Sequence, residues 1–229
     1  MQAENPFKGR HFEGEIILLC VRWYLRYSLS SRDLEEMLAE RGLKVDHSTV
    51  SRWVLKYGPE LEKRVKPHLK STTDSWRVDE TYIKVRKVWL YQYRAVDSAG
   101  QTIEFWFSAK RDAAAAQAFF EKALGAPHVV TPRVINVDKN AAYPKAVETL
   151  KAHGKLPPEC ELRQVKYLNN LIEQDHRFIK RRTRPGLGFF SFETAQRTLS
   201  GYETMHMIRK GQVEGVAKGD ILAQVHLIH

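Results

Sequence analysis

Cysteine is nearly missing from this chain of 229 residues: Cys20 and Cys160 are the only two, and neither belongs to a C-x-x-C pair. That excludes a disulfide scaffold and a cysteine-built zinc site. Long apolar runs are missing too. The longest, Ile16 to Val21, falls far short of the ~18 residues a membrane span requires. The opening Met-Gln-Ala-Glu-Asn-Pro has neither the basic start nor the apolar stretch of a signal peptide, so a soluble cytoplasmic protein without membrane contact is expected. There is no internal repeat, no low-complexity tract, no phosphate-binding glycine loop and no nucleophile motif. The scattered histidines, His226 and His229 among them, form no matched set of metal ligands. What the chain does have is charge of one sign. Its 37 Lys and Arg against 27 Asp and Glu leave +10, which points to a polyanionic partner, because neutralising phosphates releases condensed counterions.

Up to the polar stretch Lys66 to Asp74 the patterning is helical. Glu13 to Tyr27 carries apolar residues at Ile16, Leu19, Cys20, Trp23 and Tyr27, the spacing of an inward helix face. Ser30 to Asp33 fits a capping box for a short helix with Leu34, Met37 and Leu38 inside, which Gly42 can end. Asp46 or Ser48 can start a third helix, with Val50, Trp53, Val54 and Tyr57 buried and Gly58-Pro59 as its stop. Two short helices joined by a tight turn predict a helix-turn-helix, although helical hairpins with no DNA role share the pattern. In a helix-turn-helix His47, Ser48, Ser51 and Arg52 would reach base edges, with Lys56 a further DNA contact.

Beyond the seam the period becomes two. Trp76–Val85, Val88–Val96 and Gln101–Ser108 read as an antiparallel meander with a turn at Asp97 to Gly100. Arg111–Leu124 reads as a helix, Arg133–Asp138 as a central strand, Ala142–His153 as a helix and Leu162–Tyr167 as a last strand before a helix holding Glu173. This order predicts an α/β fold with a mixed sheet flanked by helices, of the ribonuclease H type. The expected domains are 1–70 (helix-turn-helix), 71–200 (sheet) and 201–229 (helix and tail).

Three acids stand out by position. Asp79 interrupts a strand, Asp138 ends the most apolar one, and Glu173 follows after 34 intervening residues. A carboxylate in or at the end of a core strand needs a partner or a cation, and magnesium prefers oxygen ligands of this kind. Converging acids can hold two such ions about 3.5–4 Å apart for in-line displacement at phosphorus. Plainer roles also fit: Asp79 as a hydrogen-bond acceptor, Asp138 as a helix cap, Glu173 as a solvated surface acid. Glu80 should point to the opposite face from Asp79, and Asp97 belongs to its turn. Arg177 and Lys180 follow Glu173 at i+4 and i+7, on one face. With Arg181, Arg182 and Arg184 they make the one acid-free basic cluster, a candidate phosphate contact or an ordinary solvated face. Trp76, Trp89, Tyr91, Tyr93 and Trp106 alternate along strands, which favours core packing over base stacking.

The segments Val78–Val85, Tyr93–Ser98, Ile135–Lys139 and Tyr167–His176 together resemble the catalytic core of DDE-type insertion-sequence transposases. The resemblance is strongest to the sixth family of bacterial insertion sequences, which also shares Asn5–Phe12 and Asp46–Val50, and it covers nearly the whole chain. It implies a ribonuclease H-like fold, and Asp79, Asp138 and Glu173 as a catalytic triad holding Mg²⁺ or Mn²⁺. It further implies that Lys180 contacts DNA near the active site, that the N-terminal helices recognise terminal inverted repeats of double-stranded DNA, and that a nucleoid-associated homodimer or larger oligomer joins donor to target in a cointegrate. Gly186 and Phe190 depart from the family pattern, in the loop Arg184–Phe192. A non-catalytic helix-turn-helix regulator and a ribonuclease H-like nuclease without strand transfer remain as alternatives at this point.

Overall fold

The structure, a computed structural model, describes residues 11–165 and 170–228. The expectations at Asn5–Arg10, Tyr167–Asn169 and His229 lie outside the described residues. Three helices come first: α1 (Gly14–Arg26), α2 (Ser31–Ala39) and α3 (His47–Val65). Strands β1 (Ser75–Val85), β2 (Val88–Asp97) and β3 (Thr102–Ser108) follow. Then come α4 (Ala113–Leu124), β4 (Val134–Val137), α5 (Ala142–Ala152) and β5 (Glu161–Gln164). The chain closes on α6 (Asn170–Thr183), α7 (Phe192–Lys210) and α8 (Ile221–His226). No helix among the described residues is long and apolar enough to cross a membrane.

The five strands lie in the order β3-β2-β1-β4-β5, antiparallel within the meander and parallel from β1 through β4 to β5. This is the mixed sheet expected of the ribonuclease H type. Side chains alternate across it. Trp76, Val78, Tyr93, Ala95 and Ile103 pack under α4 and α5, while Ile83, Val85, Phe105 and Phe107 join a second core with α1–α3, α6 and α7. β4 is buried along its length, as its apolar run predicts.

Local signals account for most helix ends. Ser30 and Asp33 make the reciprocal capping box of α2, Asp46 accepts from the Ser48 amide at the start of α3, and Gly42 takes the left-handed conformation in the turn between them. Three expectations need correction. The buried stripe of α1 is Ile17, Cys20, Val21 and Leu25, and Tyr27 is exposed. That helix is apolar around much of its circumference, so spacing alone did not locate its inner face. The last strand ends at Gln164, short of Tyr167. The third is that Gly58-Pro59 does not stop α3, which runs on to Val65.

Packing against α7 explains that continuation. Pro59 cannot donate to the Leu55 carbonyl, and Arg197 of α7 donates to it instead at 3.5 Å. Gly58 faces Gly201 across the same crossing: a Cβ on Gly201 would stand 2.7 Å from Leu25 and 3.2 Å from the Gly58 Cα. The expected boundary at residue 200 therefore falls inside α7, which is continuous from Phe192 to Lys210 and packs on the N-terminal helices. Gly201→Ala is expected to push these helices apart and destabilise the protein by about 1–3 kcal/mol in chemical denaturation. An unchanged midpoint would contradict the crossing.

Candidate active site

β1 pairs with β4 only through Ser75, Trp76 and Arg77. Past Arg77 the β1 edge on that side extends beyond β4, and Val78, Asp79 and Glu80 follow in turn. Asp138 follows the last residue of β4, so parallel register carries it to the same place. Asp79, Glu80 and Asp138 each bring a carboxylate oxygen to within 4.8 Å of the others. Alternation does put Glu80 on the Trp76–Val78 side, but its carboxylate reaches the shared edge, contrary to the expected separation from Asp79.

The three acids are not equivalent. Glu80 is buried, accepts from the Tyr143 hydroxyl and the Arg111 guanidinium, and lies 3.4 Å from the Asn140 amide nitrogen. Burial raises its carboxyl above the usual range despite the Tyr143 and Arg111 contacts, which pull the other way. Its acceptor sites are taken, so it braces the cluster. Asp138 accepts from the Asn140 amide at 2.9 Å and lies 3.4 Å from Arg111. It does not cap α5; Asn140 accepts from the Ala142 amide there. Asp79 is 20% exposed and offers Oδ1 without a hydrogen-bond partner among the described residues. An oxygen-rich set of this kind fits a hard divalent cation.

Glu173 lies in the first turn of α6, is exposed, and is not among the three clustered carboxylates. It lines a cavity of about 680 Å³ together with Asp79, Glu80, His176, Arg177, Lys180, Arg181 and Arg184. The structure thus brings Asp79 to Asp138 directly, and Asp79 to Glu173 across a cavity rimmed by four of the five expected cations.

Arg182 is placed differently. Its guanidinium donates to the carbonyls of Leu25, Arg26 and Phe178 and stacks 3.8 Å over the Phe178 ring, fastening α6 to the end of α1. Beside it is a second cavity of about 510 Å³, lined by Arg26, Arg177, Arg181, Arg182 and Arg209 and, among the described residues, by no acid. Burial lowers Arg182 to about 10, with Arg209, Arg26 and Arg181 adding repulsion, and Arg209 is lowered by burial and by Arg26. Arg177 and Arg181 line both cavities, so α6 forms the ridge between them.

Among the expected base readers, Ser48, Arg52 and Lys56 are exposed and Ser51 is half-buried. His47 is tied to Glu35 of α2 at 3.0 Å. Glu35, Asp46 and His47 come within 4.8 Å of one another, and the Glu35–His47 bond and the Asp46 cap account for that grouping.

Sequence reasoning assigned no role to the support beneath Asp79. Arg94 stands opposite Asp79 in the β1–β2 register and is fully buried. It donates to Glu203 at 2.7 and 2.9 Å and to Asp175 at 2.6 Å. Its remaining nitrogen lies 3.4 Å from Nδ1 of His176, whose Nε2 lies 3.3 Å from Oδ2 of Asp79. Arg94 can only donate, so His176 Nδ1 accepts and its Nε2–H points at Asp79. A cation in a strand interior is the signal that could have revealed this, since a buried guanidinium must find acids.

Burial would raise the Asp175 carboxyl, yet Arg94, His206 and Lys210 outweigh it and hold Asp175 well below the carboxylate range. Burial also lowers His176, and lowers His206 to about 3. Both rings are therefore neutral when folded and take up protons on unfolding below their ordinary value near ~6.5, so stability falls with pH from there downward. Denaturation at pH 7 and pH 5 is expected to show that loss, His206 contributing up to about 1.4 kcal/mol per pH unit below ~6.5. His206→Gln should shrink it, and a pH-independent wild-type midpoint would contradict the neutral assignment.

Comparison with known proteins gives two levels of similarity. A family described as a DDE domain matches residues 73–212. The chain is 42% identical over 207 residues, 90% of its own length and 89% of the relative's, to the transposase for insertion sequence-like element IS431mec of Staphylococcus aureus strain Mu50. It has the same identity and coverage with the transposase for insertion sequence element IS257 in transposon Tn4003, also from Staphylococcus aureus. Among solved structures, the dimeric form of the HTLV-2 integrase catalytic core domain in complex with magnesium is 16% identical, with a TM-score of 0.45. That likeness covers 69% of this chain and 98% of the other.

Proposed function

The chain belongs to the DDE transposases of bacterial insertion sequences, in their sixth family, and from that premise we propose that it acts on the two ends of its own element. It binds the terminal inverted repeats, hydrolyses one strand at each end to free a 3′ hydroxyl, and directs that hydroxyl onto target DNA in a cointegrate-forming transfer. Two ends must be held together, so the working form is a homodimer or larger.

The observation that carries this reading is the meeting of Asp79 and Asp138 at the open edge of β1, beside a cavity onto which Glu173 opens from α6. Magnesium or manganese, as two ions held by Asp79, Asp138 and Glu173, supplies activation of the attacking oxygen and stabilisation of the leaving one. The chain's own residues do the rest. His176 holds one Asp79 oxygen and the other has no hydrogen-bond partner among the described residues, while Arg111 ties Glu80 to Asp138. Arg177, Lys180, Arg181 and Arg184 offer donors to phosphate oxygens around the cavity. Ser48, Ser51, Arg52 and Lys56 on α3 read the repeat, with His47 fixing the start of that helix against α2.

The arginine cavity extends the DNA path. Guanidiniums crowded together without acids gain most from phosphates, and the shared Arg177 and Arg181 lead a backbone over α6 from one cavity to the other. Replacing Arg26 and Arg209 together by Glu is expected to weaken end binding and lower the slope of log affinity against log salt by about two. Fluorescence anisotropy across a salt series measures it, and an unchanged slope would place the DNA elsewhere.

Asp79→Asn separates chemistry from binding. The variant should bind labelled end DNA as the wild type does, yet form neither cleaved nor joined products with magnesium or manganese. Cleavage at the wild-type rate would sink the assignment. Wild-type cleavage that never yields joined strands would favour a simple nuclease.

A further inference from the structure

We propose that the cavity between the β1–β2 hairpin and the loop after α6 takes an unpaired nucleobase from the DNA strand whose phosphodiester lies at Asp79. This rests on the reading of the protein as an end-processing transposase and adds a site to it.

The hairpin tip is unlike the rest of the sheet. Trp89 is 56% exposed and Tyr82 49% exposed, whereas the other strand aromatics are buried or half-buried. Their rings meet edge to face at 6.4 Å, and the Lys84 ammonium lies 5.7 Å from the Trp89 ring. The tip turns through Arg86 at φ 48° and Lys87 at φ 69°, left-handed positions that a two-residue hairpin normally gives to Asn or Gly. Such strain persists only where neighbours enforce it. Here the Arg86 amide donates to the Phe189 carbonyl at 2.9 Å, the Phe189 amide to the Lys84 carbonyl at 2.8 Å, and Arg86 Nε to the Phe190 carbonyl at 2.6 Å. Gly188 fits at this junction because a Cβ would come 2.7 Å from the Lys84 carbonyl oxygen. The loop that departs from the family pattern at Gly186 and Phe190 is thus pinned to the hairpin and forms the far wall of the cavity.

That cavity has a volume of about 540 Å³, within the range of small-ligand sites. Trp89 and Tyr82 contribute aromatic surface, Lys84, Lys180 and Arg184 contribute cations, and no acid among the described residues lines it. Exposed rings beside cations are what a nucleotide needs, a stacking face for the base and donors for its phosphate. Tyr82, Lys180 and Arg184 line both this cavity and the one holding Asp79 and Glu173. A phosphodiester at Asp79 therefore has an adjoining nucleotide at the aromatic pair. Within a duplex that base would be inside the stack, so the occupant is an unpaired or extruded one. The continuity of cations through both cavities favours a nucleotide over the other candidate occupant, an apolar side chain of a second copy.

The test is a thermodynamic cycle on binding, run in the Asp79→Asn background so that loss of cleavage chemistry has no bearing on it. Duplexes carrying the element's own terminal repeat receive one abasic nucleotide at each position in turn around the cleavage site. Affinity is measured for Asp79→Asn alone and with Trp89→Ala or Trp89→Phe added. Trp89 is exposed, so its truncation should leave the fold intact, which circular dichroism checks. With Trp89 present, one abasic position should weaken binding about tenfold or more. Trp89→Ala should weaken the intact end by a similar factor and lose its sensitivity at that one position, and Trp89→Phe should retain most of both. Losses from Trp89→Ala and from the abasic sites that simply multiply at every position would overturn the proposal. So would a Trp89→Ala variant that changes the oligomeric state in sedimentation while keeping the abasic pattern, because the cavity would then serve a second copy of the chain.

Discussion

A guanidinium removed from water must be answered by acids, and much of the site's architecture follows from how Arg94 is answered. Its partners come from two helices after the sheet: Glu203 on α7 and Asp175 on α6. Removing one partner from a buried pair of this kind typically costs about 3–5 kcal/mol, so the guanidinium fixes both helices to the β2 face. Its third contact passes through His176 to Asp79. The Asp79 carboxylate is thereby oriented by the same charge that docks the helices, and α6 carries Glu173 and the row of cations at a set position over the sheet.

The second constraint is the early departure of β4. Because β4 pairs with β1 through three residues only, the middle of β1 extends beyond β4, and acids from both faces of the sheet meet there. Further along, the Phe189 segment pairs with the same edge. Between β4 and Phe189 the cavity lined by Asp79 and Glu173 and the aromatic cavity lie side by side, sharing Tyr82, Lys180 and Arg184. The stretch of β1 that β4 does not cover thus accounts for where the carboxylates, the cations and the exposed rings are found.

Periodicity and capping chemistry made the element order readable, since the capping box at Ser30, the Asp46 cap and the alternation along β1 to β3 are local signals. The positions of Asp79 and Asp138 were legible because an acid in or ending an apolar strand conflicts with its surroundings. What local pattern could not carry was tertiary. Pro59 reads as a helix stop until Arg197 answers the carbonyl it leaves free, and Glu80 reads as facing away until the strand beside it ends. Trp89 reads as core from its alternation, yet among the described residues no layer covers the hairpin tip. Arg94 gave a local sign, a charge in a strand interior, but its acids lie 81 and 109 residues away in sequence.

The proposed chemistry on DNA requires that Asp79, Asp138 and Glu173 hold the cations. Anomalous scattering from manganese in crystals of the protein with its end DNA tests it most directly. Manganese peaks ligated by Asp79 and Asp138 are expected, with Glu173 completing the set from α6. Peaks elsewhere, or none at these carboxylates under saturating manganese, would contradict it.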